Sequence, residues 1–239
     1  MSREILQPET IGIIGAMEAE VVTLKNSLSS LKTQNFGKSF TFYTGKYEDK
    51  DIVLCQSGIG KVNAAIATTL LIEHFSPDCV INTGCAGGIG KGLKVGDVVI
   101  GTHVAHHDVD VTAFGYAHGQ VPQLPVFYTC ESALVYAAET AATAFKNATI
   151  SRGLIVSGDQ FVHDSATTQN IMARFPDPQA VEMEAASIAQ TCFQMNMPFV
   201  VIRAISDGAE ETAEVSFDEF VVTASEHSAE MVQAIIRSL

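Results

Sequence analysis

"PFVVIRAISD", residues 198–207, is a run of Phe, Val, Ile and Ala behind a proline, with one arginine, Arg203, inside it and one acid, Asp207, at its end. β-Branched and aromatic residues suit a pleated strand. A strand apolar at nearly every position, rather than at alternate ones, is covered on both faces. The segments "TIGIIGA" (10–16), "DCVINTG" (78–84), "GDVVIGTHVAHHD" (96–108) and "ISRGLIVSG" (150–158) also read as strands. "FTFYTGKY" (40–47) and "DIVLCQS" (51–57) read as the two arms of a hairpin that turns near Glu48 to Lys50.

Helix-period segments separate these strands. One runs from Met17 to about Leu28. Another follows "SGIGK" (57–61), with Val62, Ala65, Ile66, Thr69 and Leu70 at helical spacing. Further helices are predicted from Glu131 to about Phe145, from Ser165 to Arg174, and from Glu184 onward. The last opens on Ser216 and Glu219 in a capping-box arrangement and presents Phe220, Val221, Ala224, Met231 and Ile235 on one face. Strand then helix, repeated, predicts an α/β fold. The expectation is a single-domain three-layer α/β/α architecture with a central mixed, largely parallel twisted sheet. Residues 1–9 read as an N-terminal leader and residues 10–239 as the domain.

Composition narrows the function. Hydrophobic residues make up 47% of the 239 and charged residues 17%, which excludes disorder. A formal charge of −13 opposes any polyanion, so no nucleic-acid or anionic-membrane partner is expected, and a neutral or cationic small ligand fits better. Five scattered cysteines, Cys55, Cys79, Cys85, Cys130 and Cys192, read as reduced thiols of a cytoplasmic protein. The first ten residues have no apolar core of signal-peptide length, and no stretch reaches about 18 uninterrupted apolar residues.

Open α/β sheets bind ligands beyond the carboxyl ends of their strands. The segments found there are "GAMEAE", "GCAGG", "GDQF" and "SD", with "VEME" ahead of the small-residue helix. Glycines admit a ligand to the backbone, acids offer proton transfer or hydroxyl binding, and Phe161 offers a stacking face. The glycine patterns are not those of a dinucleotide or triphosphate site. "GIIGAME" lacks the G-x-G-x-x-G spacing, and Gly60-Lys61 and Gly90-Lys91 lack the flanking residues of a phosphate loop. Within "VEME", an inward Glu182 needs a cation, and Arg203 is the candidate partner.

The ordered set "IGIIGAMEAEV", "SGIGKVNAA", "NTGCAGG", "DVTAFGY", "GLIVSGDQF", "VEMEAASIA", "RAISD" and "SFDEF" resembles the bacterial 5′-methylthioadenosine/S-adenosylhomocysteine nucleosidases of the nucleoside phosphorylase superfamily. The likeness runs from about Thr10 to the C-terminus. It implies a nucleoside phosphorylase-like fold and a homodimeric enzyme without cofactor or metal. Such an enzyme hydrolyses the N-ribosidic bond of methylthioadenosine and adenosylhomocysteine, with 5′-deoxyadenosine as a third substrate. Two catalytic residues carry over: Asp207 as the acid toward adenine N7 and Glu20 as the base that activates water. Glu184 matches the residue that accepts hydrogen bonds from the ribose hydroxyls. The resemblance also implies substrate contacts at Met17, Ile59, Ala86, Gly87, Phe161, Val162, Met183, Ser206 and Phe217. Val111, Phe114 and Pro122 are implied to close the pocket of the partner subunit. Cys85 departs from the family, which carries serine there.

The chemistry calls for such acids. Breaking the bond builds positive charge on ribose and negative charge on adenine, so a catalyst protonates the base, stabilises the sugar and supplies water. His103, His106, His107, Asp108 and Asp110 invite a metal reading, but they form no compact chelating motif, and strand alternation would send His106 and His107 to opposite faces. Two other functions compete: a purine nucleoside phosphorylase-type transferase, and a non-catalytic adenine nucleoside-binding protein. A phosphorylase would place a cation, generally arginine, where this chain has the acidic "EAE".

Overall fold

The computed structural model describes residues 7–142, 148–210 and 213–239. The chain begins with β1 (Thr10–Gly15) and α1 (Glu18–Ser27), then the meander β2 (Ser29–Phe36), β3 (Phe40–Tyr47) and β4 (Lys50–Gln56). α2 (Lys61–Phe75), β5 (Cys79–Gly88) and β6 (Val98–His106) follow. A single 3-10 turn at Thr112–Phe114 leads to the short β7 (Tyr128–Thr129) and α3 (Ser132–Ala142). The chain ends with β8 (Ile150–Ser157), α4 (Ser165–Arg174), β9 (Pro178–Glu182), α5 (Ala185–Gln194), β10 (Phe199–Asp207) and α6 (Ala213–Ser238). Most of the predicted leader, residues 1–6, and the predicted end of α3 at Phe145 lie outside the described residues.

The strands form one sheet in the order β10-β6-β8-β9-β5-β1-β4-β3-β2, with β7 on β6. β10 also pairs with β5, so the hydrogen-bonded path from β5 through β9, β8, β6 and β10 returns on itself. β1–β4, β1–β5, β5–β10, β6–β8 and β8–β9 are parallel. β2–β3, β3–β4, β5–β9, β6–β7 and β6–β10 are antiparallel. The sheet is therefore evenly mixed, and the expectation of a largely parallel one is corrected. Short connections make antiparallel neighbours of β2, β3 and β4. β9, a five-residue strand, pairs antiparallel with β5 and parallel with β8.

Burial follows the apolar runs. Ile11, Ile13, Ile14, Val80, Ile81, Val200, Val201 and Ile202 are fully buried on the central parallel strands. α6 packs on β5 and β10 and against α1 and α3, while α2 packs on α5. α6 is under way by Ala213, so Ser216 and Glu219 lie within it and the predicted capping box is corrected. Its apolar face, including Ala224, Met231 and Ile235, is buried as its spacing predicts.

Because β1, β5 and β10 run parallel side by side, their carboxyl ends emerge at one edge. Register places Gly84 opposite Arg203 and Gly87 opposite Asp207. That edge carries the candidate site. Among the described residues no helix is long and apolar enough to cross a membrane.

Candidate active site

Glu20 lies in the first turn of α1, where β1 gives way to the helix through Ala16 and Met17. Its carboxylate turns back over the helix start and is buried. Ala16 and Met17 N–H donate to Oε2 at 2.7 and 3.0 Å, and Cys85 N–H donates to Oε1 at 2.9 Å. Gly84 makes room for this carboxylate: a Cβ there would stand 2.5 Å from Oε1. Burial raises the pKa of Glu20, while Arg203 and the three N–H donors pull it down. Glu18, two residues earlier, is exposed, as the helical period requires.

Asp207 ends β10 and is 2% exposed. Ser206 Oγ donates to its Oδ2 and Ala209 N–H to its Oδ1, both at 2.9 Å. A Cβ at Gly87 would come within 2.9 Å of Oδ1, so the strand passes close beneath this acid. Burial raises its pKa, and those two donors only partly oppose the rise. Glu20 meets β5 at residues 84–85 and Asp207 meets it at residue 87. About 7 Å of strand separates Cys85 from Gly87.

Glu184 stands at the N-cap of α5, 7% exposed, yet its side chain does not cap that helix. Its Oε1 instead accepts from Gly60 N–H at 2.8 Å, across 124 residues of chain. Burial first, then the charge of Glu182, push its pKa up to about 8, against Arg203 and the Gly60 N–H; Glu20 adds to the rise. Glu20 and Glu184 therefore share one electrostatic environment.

Arg203 is 1% exposed among these acids. Its Nη2 donates to Glu182 Oε2 and to Asn82 Oδ1, both at 2.6 Å, and Asn82 in turn donates to Ile14 O at 3.0 Å. The Glu182–Arg203 pair read from the sequence is thus present. Asn82 and the Gly60 N–H were not singled out in the sequence, although a lone amide inside "DCVINTG" is a signal that could have flagged Asn82.

The apolar candidate residues differ in burial. Ala86, Gly87 and Val162 are buried, and Met17 and Met183 are half-buried. Phe161 is 39% exposed and meets Phe217 edge to face, ring centres 5.8 Å apart. Ile59 is exposed on the loop whose next residue, Gly60, holds Glu184. Lys61 Nζ donates to Asp108 Oδ1 at 2.7 Å, and Asp159 N–H donates to Asp108 Oδ2 at 2.9 Å, joining that loop to the "SGDQF" segment. Cys85 Sγ lies 3.3 Å from Ser225 Oγ, and burial lifts its thiol pKa to about 12.

Val111, Phe114 and Pro122 belong to the segment between β6 and β7 and are not packed among the acids' partners; Phe114 is 82% exposed. His106 and His107 are both buried, and β6 ends at His106, so strand alternation does not extend to His107. His106 bonds Gln190, while the His107 ring covers Gly158. Among the described residues no three His, Cys, Asp or Glu side chains are grouped to hold a metal.

Residues 10–237 match the family described as the phosphorylase superfamily. The 5′-methylthioadenosine/S-adenosylhomocysteine nucleosidase of Anoxybacillus flavithermus is 52% identical over 96% of this chain and 98% of its own. The Neisseria meningitidis nucleosidase, solved in complex with methylthio-immucillin-A, superposes with a TM-score of 0.95 at 57% identity, covering 97% of this chain and 100% of that one. The Colwellia psychrerythraea nucleosidase, solved in complex with adenine, gives 0.95 at 44% identity, covering 98% and 96%. Such identity over nearly the full length of each chain places this one in the phosphorylase superfamily, among the 5′-methylthioadenosine/S-adenosylhomocysteine nucleosidases.

Proposed function

We propose that this protein hydrolyses the N-ribosidic bond of 5′-methylthioadenosine and S-adenosylhomocysteine, with 5′-deoxyadenosine as a third substrate, releasing adenine and the 5-substituted ribose. The observation that carries the reading is that Glu20 and Asp207, from distant parts of the chain, both meet the carboxyl end of β5, with Glu184 close enough to Glu20 to feel its charge.

Asp207 protonates adenine at N7. An ordinary aspartate has lost its proton at neutral pH, and burial is what lets this one retain it. Phe161 and Phe217 flank the base, Val162 and the Ala86–Gly87 backbone border it, and Ser206 steadies the acid. Glu20 takes the proton of the attacking water. Its three N–H donors fix the carboxylate and favour the ionised form, while burial strengthens it as a base. Glu184 accepts from the ribose hydroxyls, bonds that strengthen as the sugar becomes cationic, and Met17 and Met183 pack on the sugar with Ile59 at the rim.

The exposed Phe114, with Val111 and Pro122, closes the 5′-substituent pocket of a second copy in a homodimer. The chain folds as a single three-layer domain over residues 10–239 and works in the cytoplasm. Water is favoured over phosphate as the nucleophile for two reasons. Glu20 fills the space beside Gly84, and Arg203, the buried cation, is already bound to Glu182 and Asn82.

Purified protein incubated with methylthioadenosine, with and without inorganic phosphate, tests this. Adenine and methylthioribose should form equally fast in both. A ribose 1-phosphate derivative formed only with phosphate would make the protein a phosphorylase, and no adenine in either mixture would make it a binder.

A further inference from the structure

Helix α5 begins among the acids, and its first turn is satisfied in an unusual way. The leading N–H groups of a helix have no partner within it, and the residue at the N-cap commonly supplies one from its side chain. Here the N-cap is Glu184, whose side chain makes no such bond. Glu182, two residues earlier at the end of β9, takes its place. Glu184 N–H donates to Glu182 Oε2 at 3.1 Å, and Ala185 N–H donates to the same carboxylate at 2.9 Å. Ser157 Oγ donates to Glu182 Oε1 and accepts from Ala186 N–H at 2.8 Å, which extends the cap by one residue. Arg203 Nη2 completes the set at 2.6 Å.

This division of labour explains why two acids stand side by side. A carboxylate has about four acceptor positions, and those of Glu182 are taken by Arg203, Ser157 and the start of α5. Among the described residues Glu184 keeps one protein donor, Gly60 N–H, which leaves accepting capacity for a ligand. Had Glu184 capped its own helix, its carboxylate would point back along the chain. Glu182 lies between Ser157 on β8 and Arg203 on β10, so it references α5 to two strands of the sheet.

We propose that Glu182 is a positioning residue: by capping α5 and holding Arg203, it frees the carboxylate of Glu184 for the ribose diol and fixes where that carboxylate stands. The inference rests on the reading of Glu184 as the ribose-binding acid. It concerns recognition of the sugar and leaves recognition of adenine alone.

The test compares the wild type with Glu182→Gln and Ser157→Ala in calorimetric titrations with adenine and with a non-cleavable methylthioadenosine analogue, alongside KM and kcat for methylthioadenosine. Glu182→Gln should weaken analogue binding and raise KM by about tenfold or more, leave adenine affinity within a factor of about two, and lower kcat less than it raises KM. Ser157→Ala, a smaller change, should shift nucleoside binding in the same direction by a smaller factor. Equal losses for adenine and nucleoside, or a nucleoside affinity unchanged in both variants, would overturn the proposal. If Glu182→Gln does not fold, Ser157→Ala decides by the same ratio. A wild type that neither binds the analogue nor releases adenine would instead refute the functional reading beneath it.

Discussion

Three buried carboxyl groups cannot all be ionised cheaply, and the structure separates them by what touches each. Asp207 has two neutral donors and is raised by burial, so it suits a proton donor. Asp207→Asn should keep nucleoside binding while turnover falls about 10²–10⁴-fold, as single-turnover rates beside equilibrium titration would show; full activity would remove Asp207 from its role. Glu184 is raised to about 8, above its unfolded value near 4.5. Its contribution to stability is therefore complete below pH 4.5 and is lost as pH rises through 8. Glu184→Gln should accordingly flatten the decline in melting temperature of the ligand-free protein between about pH 5 and pH 8, by an amount worth a few kcal/mol. An unchanged slope in calorimetric scans would contradict the shift. At this scale the acids stood out in the sequence as acids near strand ends, but their separate roles came only from the family resemblance. Gly60 and Ser157 gave no signal, because a backbone N–H carries no side-chain signature and a serine after an apolar strand is commonplace.

Secondary-structure elements fix where the acids point. The Glu182–Arg203 pair ties β9 to β10 where both side chains are buried from solvent, so a lone charge there would be poorly screened. Arg203→Met alone should cost about 3–5 kcal/mol, since it strands a buried carboxylate, whereas Arg203→Met with Glu182→Leu should cost less. Denaturant melts of the two variants decide, and equal or larger losses in the double variant would count against the pairing. Gly84→Ala would push a methyl to 2.5 Å from Glu20 Oε1, against a carboxylate that three N–H groups hold in place. Turnover should fall about 10²-fold with a cooperative melt retained, as a displacement of about 1 Å at a reacting group implies. The apolar strands and the hairpin were legible because burial on both faces writes itself into composition. β2, "SSLKTQNF", was not: it lies at the sheet edge, almost wholly exposed, and is held by backbone pairing that its side chains do not reveal. β9 is too short for any period to register. The start of α6 was set three residues late because Ser216 and Glu219 have cap-like spacing inside a helix already running.

For the molecule as a whole, strand direction was the weakest part of the sequence reading. Composition reports that a strand is buried but not which neighbour it joins, so the antiparallel pairings of β6 with β10 and of β5 with β9 were not legible. The segment between β6 and β7 leaves Phe114 82% exposed in the single chain, a state that a second copy would relieve. Sedimentation should give a dimer. Phe114→Ser should raise KM for methylthioadenosine several-fold, while the fold, in which Phe114 is scarcely packed, changes by no more than about 0.5 kcal/mol. A monomer with unaltered KM would remove the shared pocket. The most direct test of the account is a crystal structure of this protein with a non-cleavable methylthioadenosine analogue. The account predicts Asp207 within hydrogen-bonding distance of the position of N7, Glu184 bonded to the ribose diol, and a water between Glu20 and the anomeric carbon. An analogue bound away from these acids, or turned so that Glu20 and Asp207 face the same side of the sugar, would contradict it.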